Sequence, residues 1–175
     1  YTPFGHSDWS KIVADVVSLG ADGKKVGVIS TINGDANIGF YKELAAAGIK
    51  ADDIPVVAFS VGEEELSGLD TKNLVGHLAA WNYFQSAESD LNTDFIKQWK
   101  STMGDKRVTN DPMEAHVIGF KMYVKAVEKA GTTDVDAVRK AMYGIKVPNL
   151  TGGIAEMLPN HHLSKPVLIG EIQAD

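Results

Sequence analysis

With 175 residues, of which 44% are apolar and 23% charged, the chain has the size and composition of a globular protein with one sizeable core. Its formal net charge of −6 argues against nucleic acid or an anionic membrane as a partner, because both require a basic surface. It contains no cysteine, which excludes disulfides, thiolate metal sites and a cysteine nucleophile.

Helix and strand patterns alternate in the first part of the chain. Ser7 is expected to cap a helix whose apolar stripe ends near Gly20. Strands are predicted over 25–30, 55–60 and 74–81, with a helix over 36–47 and a short helix that opens at Glu63 in a solvated acidic turn. This alternation predicts a parallel sheet with helices on both faces.

Longer helices dominate the second part of the chain. They are predicted over 93–103, 111–130 and 135–143; the second has apolar residues at four-three spacing and the third is capped by Asp134. The terminal region then carries a strand that ends at Met157, a turn at Pro159 and Asn160, and a strand over 167–172. This pattern predicts a hairpin that returns to a sheet.

Signals for catalysis or for a metal are weak. His161 and His162 are adjacent, so on a strand they would point to opposite faces and could not easily bind one metal ion together. The chain contains no G-x-S-x-G elbow, P-loop or G-x-G-x-x-G fingerprint. We therefore expect no catalytic residue, no metal and no cofactor.

The most informative stretch is Asn33-Gly34-Asp35, between the first predicted strand and the following helix. In one interpretation it is a turn and cap, because Gly34 permits a positive φ angle and Asp35 can accept hydrogen bonds from helical N–H groups. In the other it binds a ligand, because ligands of open α/β sheets lie outside the carboxyl ends of the strands. Asn33 would there offer both a donor and an acceptor.

The next two predicted strands also end in polar or aromatic residues. The second ends in Ser60-Val61-Gly62 before Glu63, and the third in Trp81-Asn82-Tyr83. Because parallel strands end at the same edge of a sheet, amide, hydroxyl, carboxylate and aromatic groups should gather there. Such a set suits an uncharged polar solute, for example an amide.

Several long stretches carry a family resemblance. They read YTPFGHSDWSKIVADV, VVAFSVGEEELSGLDTKNLVGHLAAWNYFQS, RVTNDPMEAHVIGFKMYVKAVEKAG, VPNLTGG and MLPNHHLSKPVLIGEIQ. Together they resemble the urea and short-chain amide substrate-binding proteins, which belong to the branched-chain amino acid family of bacterial ABC uptake systems. The resemblance runs essentially from end to end.

The resemblance implies the α/β fold of a type I periplasmic binding protein, with Rossmann-like or flavodoxin-like layers. In that family two lobes close over a solute and deliver it to the membrane subunits of a permease. Residues 1–84 and 145–175 would form the second lobe, incomplete at its N-terminus. Residues 85–144 would be a helical segment that packs on the first lobe, most of which this chain lacks.

By the same resemblance, the ligand contacts of this lobe would be Asn33, Gly34, Asp35, Ser60, Val61 and Glu63. Trp81 is a further candidate because it ends the third predicted strand. Amino-acid binders of the family often have a tyrosine and a glutamate at the positions of Asn33 and Val61. This departure weakens an amino acid as ligand, because its ammonium group favours a carboxylate partner. A neutral amide fits better.

The leading hypothesis is therefore a periplasmic, non-enzymatic binding protein for urea or short-chain amides. The alternatives are a cytoplasmic amide-sensing regulator of the same fold, a branched-chain amino acid binding protein, and an enzyme on a flavodoxin-like sheet. Because the chain starts at Tyr1 without a methionine, we interpret it as a processed product or a fragment, which leaves a signal peptide untested. A fragment with uncovered apolar surface is also expected to self-associate.

Overall fold

The computed structural model describes residues 1–174. The chain forms two compact units, one from Tyr1–Trp81 with the terminal stretch that begins at Leu168, the other from residues 82–167. Residues 145–167 belong to the second of these units. The lobe assignment that the resemblance implies for residues 145–175 concerns the whole protein and stays a prediction. The helices and strands, numbered in chain order, are α1 (Ser10–Leu19), β1 (Val28–Ser30), α2 (Ala36–Ala46), β2 (Val56–Ala58), α3 (Glu63–Leu66), β3 (Leu78–Trp81), α4 (Asp90–Met103), α5 (Asp111–Ala130), α6 (Val135–Met142), β4 (Lys146–Pro148), β5 (Ile154–Met157), β6 (Leu163–Ser164) and β7 (Leu168–Glu171).

The first unit is built on a sheet of strand order β1-β2-β3-β7. β1, β2 and β3 are parallel, which confirms the predicted parallel α/β core. Ser30 lies opposite Ala58, so the first two strands end at the same level. The carboxyl ends of the parallel strands therefore share one edge, as the site prediction requires.

The terminal strand β7 is antiparallel to β3, with Trp81 opposite Leu168. The predicted hairpin of β5 with this strand is wrong: β5 pairs with β4 and with the two-residue strand β6. These three strands form a separate antiparallel sheet in the second unit. The sequence missed β4 and β6 because strands this short carry almost no periodicity.

Aromatic packing joins the helices of the first unit. The rings of Trp9 and Phe40 meet edge to face with centroids 5.4 Å apart, and Phe40 contacts Tyr41 in the same way at 5.5 Å. All three side chains are buried. Edge-to-face pairs add to the free energy gained from burial alone, so this row fixes the start of α1 against α2.

Of the two predicted N-terminal helix caps, one is confirmed and one is wrong. Asp134 caps α6 by accepting a hydrogen bond from the Ala137 N–H at 3.0 Å, as predicted. The prediction that Ser7 caps the first helix is wrong, because α1 begins at Ser10. Asp8 Oδ1 instead accepts a hydrogen bond from the Ser10 N–H at 3.3 Å.

The core of the second unit lies between α5, α6 and the antiparallel sheet. α5 buries Ile118, Met122 and Ala126, one residue per turn. The apolar stripe predicted at four-three spacing is offset from this face, and Phe120 and Val124 are exposed. The buried residues of this core are Ile118, Met122, Ala126, Val138, Ile145, Val147 and Ala155.

Candidate functional site

The loops that follow β1 and β2 are linked by side chains. We call them the rim loops and define them as residues 31–35 and 59–62. Ser60 Oγ donates a hydrogen bond to Asn33 Oδ1 at 2.6 Å. The structure thus brings together two of the predicted site residues, and it leaves the Asn33 Nδ2 group available as a donor at an exposed position.

The stretch Asn33-Gly34-Asp35, which we call the elbow, matches one half of the turn-and-cap interpretation. Gly34 has a φ angle of +63°, a conformation that L side chains rarely adopt, so glycine is required for the backbone. Asp35 occupies the N-cap position of α2, but its side chain accepts no capping hydrogen bond. The proposed capping role of Asp35 is therefore wrong, and its exposed carboxylate lies at the edge where the strands end.

The second rim loop differs from the sequence prediction in what it exposes. The Val61 side chain is 1% exposed, so it packs inside the unit and only its main chain could meet a solute. Glu63, at the start of α3, is half-buried, as are the two glutamates after it. The acidic turn is thus less solvated than its composition suggested.

Glu65 is a residue of this region that sequence reasoning did not single out. Its Oε2 accepts a hydrogen bond from the Gly62 N–H at 2.9 Å and so holds the end of the second rim loop. Burial raises the pKa of the Glu65 carboxyl, and the charges of Glu64 and Glu63 act in the same direction. The G-x-x-E spacing of a capping box was the one signal that could have identified it.

Trp81 lies at the end of β3 and reaches the second rim loop. A Cβ atom added to Gly62 would stand 3.4 Å from Trp81 Cζ3. The absence of a side chain at Gly62 thus allows the indole ring to approach the loop backbone closely. The structure therefore places an aromatic surface next to the polar groups of the rim loops.

The second rim loop also rests on a fully buried residue of α2. Asn37 Nδ2 donates hydrogen bonds to the main-chain oxygens of Ile32, at 2.9 Å, and Ser60, at 3.2 Å. Asn37 Oδ1 is buried and has no hydrogen-bond partner among the described residues. No local sequence signal distinguishes Asn37, because it lies inside a helix pattern.

The charge of the region is negative. Residues 31–35 and 59–65 contain Asp35 and three consecutive glutamates but no lysine or arginine. An acceptor-rich surface of this kind favours a solute that donates N–H groups and disfavours a free carboxylate.

An ionic cluster is buried in the second unit. Lys165 Nζ pairs with Glu114, which is fully buried, and lies 4.0 Å from Asp111 Oδ1. Burial raises the pKa of Asp111, whereas the Lys165 charge lowers it. Glu114 also accepts a hydrogen bond from the Leu150 N–H at 3.3 Å, so the cluster holds chain segments of the second unit together.

The described residues hold no group of three or more histidine, aspartate or glutamate side chains that could bind a metal ion. His161 lies in a turn with a φ angle of +65°, and its Nε2 is 2.8 Å from the Tyr143 hydroxyl. None of the helices over residues 1–174 has the length and apolar character needed to cross a membrane.

Comparison with known proteins places the chain among binding proteins. The periplasmic binding protein domain model matches residues 1–175. The Leu/Ile/Val-binding protein homolog 6 of Brucella melitensis is 22% identical over 173 residues, which are 97% of this chain and 43% of that protein. A limonene hydroxylase of Geobacillus stearothermophilus is 29% identical over 107 residues, but these are only 61% of this chain and 20% of that protein.

Among solved structures, the chain is similar to the solute-binding protein of an ABC transporter from Rhodopseudomonas palustris HaA2, in complex with p-hydroxybenzoic acid. The TM-score is 0.82 at 22% identity, over 98% of this chain and 46% of the other. At this identity the likeness shows the fold. This chain spans less than half the length of these relatives.

Proposed function

Because the chain belongs to the periplasmic binding protein domain family over residues 1–175, we propose that it is part of an extracytoplasmic solute-binding protein of an ABC uptake system. It binds a small polar solute at the rim loops and delivers it to the membrane subunits of a permease. It does so without catalysis, since the rim loops bring together donors and acceptors but no nucleophile with an adjacent base.

The proposed solute is a neutral amide, urea or a short-chain amide. One observation carries this choice: the rim loops present hydroxyl, amide and carboxylate groups with no basic side chain among residues 31–35 and 59–65. Urea and acetamide donate N–H groups, which these acceptors can bind, and they carry no charge that must be neutralised. The Trp81 ring adds an apolar surface on which a planar amide can rest.

A branched-chain amino acid is the second candidate solute. The Brucella relative carries such a name and aligns over nearly the whole chain. The acidic rim could bind the ammonium group of an amino acid. Its carboxylate, however, favours a cationic partner, and residues 31–35 and 59–65 contain no lysine or arginine, so we rank this solute below an amide.

The test is calorimetric titration of the full-length gene product with urea and with acetamide. Asn33→Ala and Asp35→Ala should each weaken binding by more than about tenfold, or about 1.4 kcal/mol. Asn73→Ala and Asp52→Ala are matched controls, because both residues are exposed in the same unit and lie outside the rim loops. The controls should bind like the natural protein.

If affinity is unchanged in both rim variants, Asn33-Gly34-Asp35 is only a turn between β1 and α2 and does not bind the solute. Binding of leucine or 4-hydroxybenzoate without any binding of urea or acetamide would replace the proposed solute. Cell fractionation separates the transport role from the cytoplasmic sensor: recovery of the gene product in the cytoplasm would contradict the proposed export.

A further inference from the structure

The two strands at the centre of the site separate immediately after their last paired residues. Ser30 and Ala58 are in register at the ends of β1 and β2. Two residues further along each chain stand Ile32 and Ser60, whose main-chain oxygens are not joined by the ladder. A parallel ladder that ends in this way leaves carbonyl groups without partners, and a buried carbonyl without a partner costs free energy.

Asn37 fills this gap with its side chain. Each of its two amide hydrogens is used, one for the Ile32 oxygen at 2.9 Å and one for the Ser60 oxygen at 3.2 Å. The residue is 0% exposed, so these bonds are made away from solvent and are costly to lose. A single side chain thus donates one hydrogen bond to each of the two rim loops.

We infer that Asn37 is a positioning residue that sets the spacing of the two rim loops and thereby the affinity of the site. Ser60 is held from two sides, since its oxygen accepts from Asn37 and its hydroxyl donates to Asn33. Loss of the Asn37 amide releases the Ser60 main chain and, with it, the hydrogen bond that orients the Asn33 amide. This inference rests on the proposed function for its effect on affinity, but its effect on the loops is independent of any solute.

The variants are chosen to remove the bridge with little other change. Asn37→Asp keeps the size of the side chain and turns donors into acceptors against two carbonyl oxygens, at the cost of a carboxylate in a buried position. Asn37→Ala removes the bridge without adding charge, so it answers the question if the aspartate variant does not fold.

Asn92→Asp is the matched control. Asn92 is also buried, and its Nδ2 donates hydrogen bonds to two main-chain oxygens, those of Gln85 at 2.9 Å and Ala87 at 2.7 Å. These partners belong to the other unit and none lies in a rim loop. The control therefore reproduces the loss of stability without the loss of loop spacing.

Two measurements on the full-length gene product test the inference. Calorimetric titration with urea and acetamide, well below the melting temperature of every variant, should show affinity lowered by at least about tenfold in both Asn37 variants and by less than about twofold in Asn92→Asp. Hydrogen–deuterium exchange should be faster over residues 31–35 and 59–62 in the Asn37 variants alone.

Affinity or rim-loop exchange that stays at the natural level in both Asn37 variants overturns the inference and leaves the proposed function standing. If the natural protein binds neither urea nor acetamide, the proposed solute fails. The exchange measurement then still decides on Asn37, with faster rim-loop exchange supporting the positioning role and unchanged exchange overturning it.

Discussion

At the scale of single residues, His77 shows how burial can tie stability to pH. The ring is fully buried, and its Nδ1 accepts a hydrogen bond from the Val56 N–H at 3.1 Å, at the start of β2. Nδ1 must be unprotonated to accept this bond, so the neutral ring is the form that fits. Burial lowers the pKa of His77 below its ordinary value of 6.5, in agreement with this geometry.

We predict that the free energy of unfolding falls as the pH drops below 6.5, the ordinary pKa of histidine. The unfolded chain takes up a proton there while the folded chain does not, so acid favours unfolding until the folded pKa is reached. The loss attributable to His77 is at most about 1.4 kcal/mol per pH unit. Denaturation by guanidinium chloride, one pH unit above and one pH unit below that value, measures the loss without adding the proposed solute.

His77→Asn is the control for this prediction. An asparagine Oδ1 can accept the Val56 N–H in place of Nδ1 but does not titrate. The variant is less stable at every pH because it is smaller, yet its stability should decline less between the two conditions. An equal decline in both proteins would assign the pH dependence to other groups.

The residues of the site were predictable to different degrees. Asn33 and Ser60 could be named from the sequence because each follows an apolar strand, and the structure joins them by a hydrogen bond. Asn37 could not, since its partners are five and twenty-three positions away and its own neighbours indicate only a helix. Glu65 was hidden in an acidic run that composition alone reads as solvated.

At the scale of elements, two glycines in helix interiors have opposite significance. Gly39 lies in α2, where an added Cβ would stand 2.9 Å from Cδ1 of the buried Trp9. Gly119 lies in α5, where an added Cβ would meet no atom within 4 Å. Helix propensity favours alanine over glycine at both positions, so only packing distinguishes them.

We predict that Gly39→Ala lowers the free energy of unfolding by about 1–3 kcal/mol, because the indole ring must move out of its packed position. Gly119→Ala, the matched variant, should raise it by about 0.5–1 kcal/mol through helix propensity alone. Thermal unfolding followed by circular dichroism measures both. Stabilisation by the two substitutions alike would show that Trp9 does not constrain α2.

Elements with strong local signals were predicted well. The bounds of α5 were recovered because Asn110 and Pro112 mark its start and Gly131 its end. The buried face of α5 was not, because the helix carries apolar residues on more than one side and only tertiary contacts decide between them. The short strands β4 and β6 have three and two residues, too few for a period to show.

At the scale of the whole molecule, sequence patterns gave the fold class but not the path of the terminal segment. Alternating helices and strands are sufficient to indicate a parallel core. The pairing of β7 with β3 joins distant residues, such as Ala79 and Gly170, which are 91 positions apart, and depends on contacts that no local pattern encodes. The grouping of residues 145–167 with the second unit likewise depends on tertiary contacts.

The second unit exposes apolar side chains along α5. Phe120 is 67% exposed and Tyr123 and Val124 follow at 44% and 38% on the same helix. Phe120 and Val124 line a groove of about 430 Å³ that also contacts Val147 and Pro148. Apolar side chains gathered in this way mark surface that another surface usually covers.

We predict that the 175-residue chain self-associates through this groove and binds an apolar fluorescent dye. Replacing Phe120 and Val124 together by lysine should yield a monomer in sedimentation velocity and weaken dye binding by several-fold, because the charges cannot be buried. Val135→Lys is the control: Val135 is 77% exposed but lies outside the groove, so its replacement should leave association unchanged. A monodisperse natural chain that binds no dye would contradict the prediction, and association that survives the double substitution would place the contact elsewhere.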